Sequence, residues 1–201
     1  MRNIAVIYSG NAPHHRTFNE PKYRKYIKEL IYFPDFLDTS LEGFDVLIVP
    51  SQLNEKLLMS AKGKIHDFAE RGGIVVAFGP QPWNWLPNQN WEDQETNFWW
   101  WLEKGAKSGL VLSSPDYDLF NYITLADATW HQHGVFWPVK GAQILIEKED
   151  GGAVMYIDKV STKGTWLITT LDPDYHFGSY FMPATERFFD GFFPWIAEGN
   201  I

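Results

Sequence analysis

The chain has 201 residues, 45% hydrophobic and 21% charged, which suits one generous domain with a real core and excludes collagen-like, coiled-coil and wholly disordered classes. Its 25 acidic against 17 basic side chains give a formal charge of −8 with no basic run, which argues against nucleic acid and anionic membranes as partners. It has no cysteine, hence no disulfide, no thiolate metal site and no cysteine nucleophile.

Met1-Arg2-Asn3 leads straight into Ile4–Tyr8, with no signal-peptide cleavage site, and no apolar run approaches the ~20 residues of a membrane span. A cytoplasmic location is expected. Ile4–Tyr8 itself reads as a buried strand closed by the turn Ser9-Gly10-Asn11. From Glu20 to Leu30, Tyr23, Tyr26, Ile27 and Leu30 recur at helical spacing opposite Lys22, Arg24, Lys25 and Lys28, so a helix is predicted there, stopped by Pro34. Phe44–Pro50 is a second buried strand. Asn54–Arg71 keeps a 3.6-residue period through Leu57, Leu58, Ala61, Ile65, Phe68 and Ala69 and ends at Gly72-Gly73. Ile74–Phe78 is a third strand, and strand–helix–strand with short links is the signature of a parallel sheet.

Residues 80–104 change character, with Trp83, Trp85, Trp91 and Trp99-Trp100-Trp101 among Pro80, Pro82 and Pro87. They are predicted as an insertion or lid with a short helix over Thr96–Lys104, its tryptophans serving either as stacking faces for a ligand or as a homo-oligomer contact. The C-terminal third is hairpin-rich: Gln143–Lys148 and Ala153–Asp158 flank Glu149-Asp150-Gly151-Gly152, and Thr165–Leu171 follows Ser161-Thr162-Lys163-Gly164. Pro183–Ile196 closes the chain as a helix rich in phenylalanine. The predicted whole is one α/β domain over residues 1–201, a three-layer sandwich with a mostly parallel central sheet and added β-hairpins.

Two segments carry candidate chemistry. In Thr129–Gly134, His131 and His133 share a face if the backbone is extended, which begins a metal site needing a third ligand such as His176, Asp174 or Glu186; hydrogen bonding within the core is the alternative. Asp172, Asp174 and His176 follow the strand Thr165–Thr170, at the edge where open α/β sheets bind ligands. Turn chemistry explains Asp-Pro-Asp but not the neighbouring imidazole. Ser9-Gly10-Asn11 resembles a small anion-binding turn, and His14-His15 reads as a solvated pair.

The order of these pieces resembles the class I glutamine amidotransferase-like superfamily, a flavodoxin-like fold, over roughly residues 3–197. Ala77-Phe78-Gly79 stands where that family has Cys-x-Gly, Gln132-His133-Gly134 and Pro138–Ile146 follow in the family's order, and Leu171-Asp172-Pro173-Asp174 stands where it has Phe-His-Pro-Glu. The resemblance implies Ala77 at the nucleophile, Asp172 at the base and Asp174 at the orienting acid, so glutaminase activity is expected to be absent. It implies a degenerate member, a pseudoenzyme that binds a small molecule or protein partner at the former active-site edge. Ser9, Gly10, Ala77, Gly79, Trp83, His131, His133 and Asp174 would line that site, without a cofactor. The alternative is a hydrolase or lyase in the same pocket, using His133, Asp172, Asp174 and His176, with His131, His133 and His176 as ligands if a divalent metal such as zinc takes part.

Overall fold

The structure is a computed structural model that describes residues 1–80, 82–94, 100–180 and 182–201. In chain order its strands are β1 (Ile4–Tyr8), β2 (Ile27–Tyr32), β3 (Val46–Val49), β4 (Ile74–Ala77), β5 (Trp91–Asp93), β6 (Leu110–Leu112), β7 (Gly134–Phe136), β8 (Gln143–Lys148), β9 (Ala153–Asp158) and β10 (Thr165–Thr169). Its α-helices are α1 (Ala12–Asn19), α2 (Pro21–Arg24), α3 (Glu55–Glu70), α4 (Pro173–Gly178) and α5 (Pro183–Glu198).

One sheet runs β2-β1-β3-β4-β10-β9-β7-β5, with β8 pairing β9 and β6 pairing β8. The pairings β2/β1, β1/β3, β3/β4 and β4/β10 are parallel. Those of β10/β9, β9/β8, β8/β6, β9/β7 and β7/β5 are antiparallel. The mostly parallel three-layer sandwich predicted from the sequence is therefore corrected to an α/β fold on a mixed sheet. The cause lies in the turns: residues 149–152 and 159–164 are too short for the dozen or so residues of a parallel crossover, so β8, β9 and β10 must alternate in direction. β10 is the joint, parallel to β4 on one side and antiparallel to β9 on the other.

Strand side chains alternate between two cores, as the pleat requires. Ile4, Val6, Val46, Ile48, Val76 and Leu167 pack with Phe188, Phe189, Phe192 and Phe193 of α5. Ala5, Ile7, Leu47, Val49, Val75 and Ile168 pack with Leu58, Ala61, Ile65 and Phe68 of α3. The four α5 rings are wholly buried, each worth about 1.5–3 kcal/mol of apolar transfer.

The predicted helix Glu20–Leu30 is also corrected. Only Pro21–Arg24 is helical, and Ile27–Tyr32 forms the edge strand of the parallel half, burying Ile27 and Ile31 and exposing Lys28, Glu29 and Tyr32. A four-residue apolar spacing across a helix-to-strand boundary imitates one continuous helix. In the Trp-rich region, Trp85 is buried and Trp83 and Trp91 lie partly buried against the α3-side core. Trp99 and most of the N-terminal part of the predicted Thr96–Lys104 helix lie outside the described residues, and Trp100–Leu102 forms a single 3₁₀ turn. Among the described residues no helix is long and apolar enough to cross a membrane.

Candidate functional site

Because β1, β3, β4 and β10 run in parallel, the segments after them meet along one edge of the sheet. The Gly79 amide donates to the Leu171 carbonyl at 2.6 Å, tying the end of β4 to that of β10. Gly79 has φ +80°, and a Cβ there would stand 2.4 Å from Cβ of Ser51, so glycine is what allows the β3 and β4 loops to touch. At the same edge Gln52 holds φ +55°, an uncommon left-handed conformation for a non-glycine residue.

Two polar groups are built there. In the first, Asn11 caps α1 by accepting from the His14 amide at 2.8 Å, which places His14 in the first turn, facing inward. His14 Nε2 lies 2.8 Å from the Ser51 carbonyl and 3.2 Å from Oδ2 of Asp174. The Ser51 carbonyl can only accept, so Nε2 carries a proton and Nδ1 accepts from the Ser9 hydroxyl at 2.9 Å. Asp174 Oδ2 also accepts the Ser51 amide at 3.0 Å and hydroxyl at 2.9 Å, and its backbone carbonyl accepts from Thr17 at 2.8 Å. His14, Ser51 and Asp174 are fully buried. The group pins α1, the β3 loop and α4 together.

In the second group, Asp172 precedes α4 and His176 sits one helical turn later, so both side chains share a face. His176 Nε2 lies 3.3 Å from Asp172 Oδ1 and 3.1 Å from His131 Nε2. Trp130 donates its indole N–H to the same Asp172 oxygen at 3.2 Å. His133 is adjacent, its ring centroid 5.3 Å from that of His131. Burial, followed by the neighbouring His176, pushes the His131 pKa down to about 4 against the opposing pull of Asp172. A cavity of about 550 Å³ opens beside the group, lined by Gln52, His131, His133, Asp172, Tyr175, His176 and Ser179.

The candidate residues from the sequence thus separate. His131, His133, Asp172 and His176 converge on the cavity, whereas Asp174 turns away into the His14–Ser51 network. Among the described residues, His131, Asp172 and His176 place ligand atoms within 4.8 Å of one another and could hold a metal. Ser9 joins the first network, and Gly10 is exposed at its turn with φ +82°. Ala77 is buried in the α3-side core, Trp83 packs partly buried on that core, and Glu186 forms an exposed pair with Lys22. His14, Ser51, Gln52 and Trp130 are the residues that sequence reasoning missed. For His14 a usable signal existed, since it stands three residues after Asn11 where an N-cap places a first-turn side chain.

No protein-family model matches the chain, and no curated protein matches it. Solved structures do share its fold. A cytoplasmic protein from Salmonella typhimurium superposes with TM-score 0.61 at 10% identity over 98% of this chain and 100% of that one. An exo-β-1,4-mannosidase from an Opitutaceae bacterium gives 0.56 at 12% identity over 98% of this chain but 36% of the enzyme, so the chain spans about a third of that protein. A protein described as ThuA-like from Bacteroides uniformis gives 0.52 at 11% identity over 95% of this chain and 89% of that one. These likenesses show the fold alone. The antiparallel half of this chain's sheet overturns the expected parallel flavodoxin-like fold, and the solved structures that share the α/β fold found instead include a ThuA-like protein and a glycosidase.

Proposed function

We propose that the chain is a hydrolase or lyase for a small, uncharged polar molecule, with His131, Asp172 and His176 carrying the chemistry. The observation behind this reading is the convergence of two imidazole Nε2 atoms and a carboxylate oxygen, 3.1 and 3.3 Å apart, on the wall of the 550 Å³ cavity. Groups of this kind can take and return protons and activate water at one point. Every lining side chain offers a hydrogen-bonding group, Tyr175 adds a ring face, and neither lysine nor arginine is among them. That composition suits a hydroxylated neutral ligand and offers a strong anion no lysine or arginine to pair with. In a hydrolase the reactant that these groups would activate is water, and in a lyase they would take and return the proton of an elimination.

A cytoplasmic location belongs to the same proposal, in line with the neighbour described as cytoplasmic. Thermal-shift measurements of tag-free protein against uncharged sugars, lactones, esters and hydroxy compounds test the reading, because a ligand of the folded state raises the midpoint by mass action. One class is expected to raise it, and His176→Gln to abolish that rise. A rise of equal size in the variant would remove the cavity from the account.

A further inference from the structure

The geometry points to a binding site for one divalent first-row transition-metal ion, of the zinc or ferrous type, formed by His131 Nε2, His176 Nε2 and Asp172 Oδ1. The inference rests on the functional reading of the same cavity and adds what would activate water there.

Ligands about 2.0–2.2 Å from a tetrahedral ion stand about 3.3–3.6 Å from each other. The His176–His131 and His176–Asp172 separations, 3.1 and 3.3 Å, fall close to that edge length, and all three ligand atoms fit within 4.8 Å. The two rings stand at 85° to each other and meet through their Nε2 atoms. A cation placed among the three atoms could take a ligand from each of them.

Charge supports the same conclusion. Asp172 is 2% exposed, its neighbours at the site are two imidazoles and an indole, and a buried carboxylate calls for a positive partner. Two nitrogens and one oxygen are the donors that first-row transition ions favour, whereas magnesium and calcium take oxygen. Trp130 acts as a positioning residue, its N–H fixing the carboxylate in the way outer hydrogen bonds orient metal ligands. Gln52, His133 and Tyr175 line the same cavity as the three ligand residues.

Isothermal titration of tag-free protein with zinc chloride, with magnesium chloride as comparison, tests the site. One zinc ion per chain is expected, with magnesium silent, binding lost in His131→Gln, His176→Gln and Asp172→Asn, and binding kept in His15→Gln. Cobalt(II) titration of the unaltered protein adds a readout that needs no variant: visible absorption bands rising to one equivalent and bleached by zinc. Absence of stoichiometric zinc, or unchanged affinity in a folded His176→Gln, would overturn the inference. Turnover separates the two proposals. Activity that survives chelation without bound metal ends the metal site and leaves the hydrolase or lyase reading, whereas a bound ion with no substrate turned over does the reverse.

Discussion

Trp130 donates its indole N–H to Oδ1 of Asp172 at 3.2 Å, although 42 residues separate them. The bond joins the segment that carries His131 to the start of α4, which carries His176, and so sets the distance between the two imidazoles. Replacing Trp130 by Phe keeps a ring edge-on to Phe188 but leaves the buried carboxylate a donor short. A loss of about 1–3 kcal/mol is expected in urea unfolding, the usual cost of an unmet buried polar group. Unchanged stability would mean that the bond is not made.

His14 is expected to matter far more than His15 beside it. His14 is wholly buried and hydrogen-bonded to Ser9, Ser51 and Asp174, whereas His15 is exposed. His14→Ala should cost about 1.5–3 kcal/mol, the range for a hydrogen bond to a charged group. His15→Ala should stay within about 0.5 kcal/mol, as surface changes do. Denaturant midpoints of the two variants decide it, and equal midpoints would contradict the assigned network.

Of the parallel half of the sheet, β1, β3 and β4 were legible in the sequence because each is a continuous apolar run and α3 keeps a clean period between Asn54 and Gly72, whereas β2 reads as part of a helix. The turns at 149–152 and 159–164 were legible too, but their consequence for the sheet was not drawn: short turns force antiparallel neighbours, which fill the other half. Of the site, His131, Asp172 and His176 stood out as compact clusters of reactive residues. Which imidazole His131 would meet was hidden, because α4 decides it by placing His176 one turn from Asp172. The His14 network was hidden for a different reason: Ser51 lies 37 residues beyond His14, and Asp174 another 123 beyond Ser51. Local patterns cannot report a contact that only the sheet edge creates.

Gly79 and Gly43 separate backbone strain from close contact. Both have positive φ, +80° and +76°, yet an added Cβ meets Ser51 Cβ at 2.4 Å in the first case and open space in the second. Gly43→Ala is expected to cost about 1–2 kcal/mol from the left-handed backbone alone. Gly79→Ala should cost clearly more and also displace the Ser51–Gln52 loop, weakening any ligand held by the cavity. Melting temperatures of the two variants give the comparison, and an equal loss would show that the loops do not touch.

Asp127 supplies a pH test away from the site. Partial burial opposes its ionisation, but the Thr124 amide and hydroxyl and the Arg187 guanidinium outweigh that and lower its pKa below the ordinary 3.8. A carboxyl depressed in the folded state stabilises above its unfolded pKa and ceases to do so as pH falls through the folded value. Asp127→Ala should therefore cost about 1 kcal/mol near neutral pH, the usual worth of a cap, with the gap closing in strong acid. A gap that stays constant with pH would assign the loss to packing instead.

Turnover decides whether His131, Asp172 and His176 carry chemistry. Uncharged esters, lactones and glycosides are offered to the unaltered protein and to His131→Gln, His176→Gln and His15→Gln. One substrate class is expected to be consumed, with the rate lowered on the order of 10²–10⁴-fold in the first two variants, the range for losing a general acid or base, and unchanged in the third. A full rate in His176→Gln, or no consumption of any class by a folded protein, would contradict the assignment of chemistry to His131, Asp172 and His176.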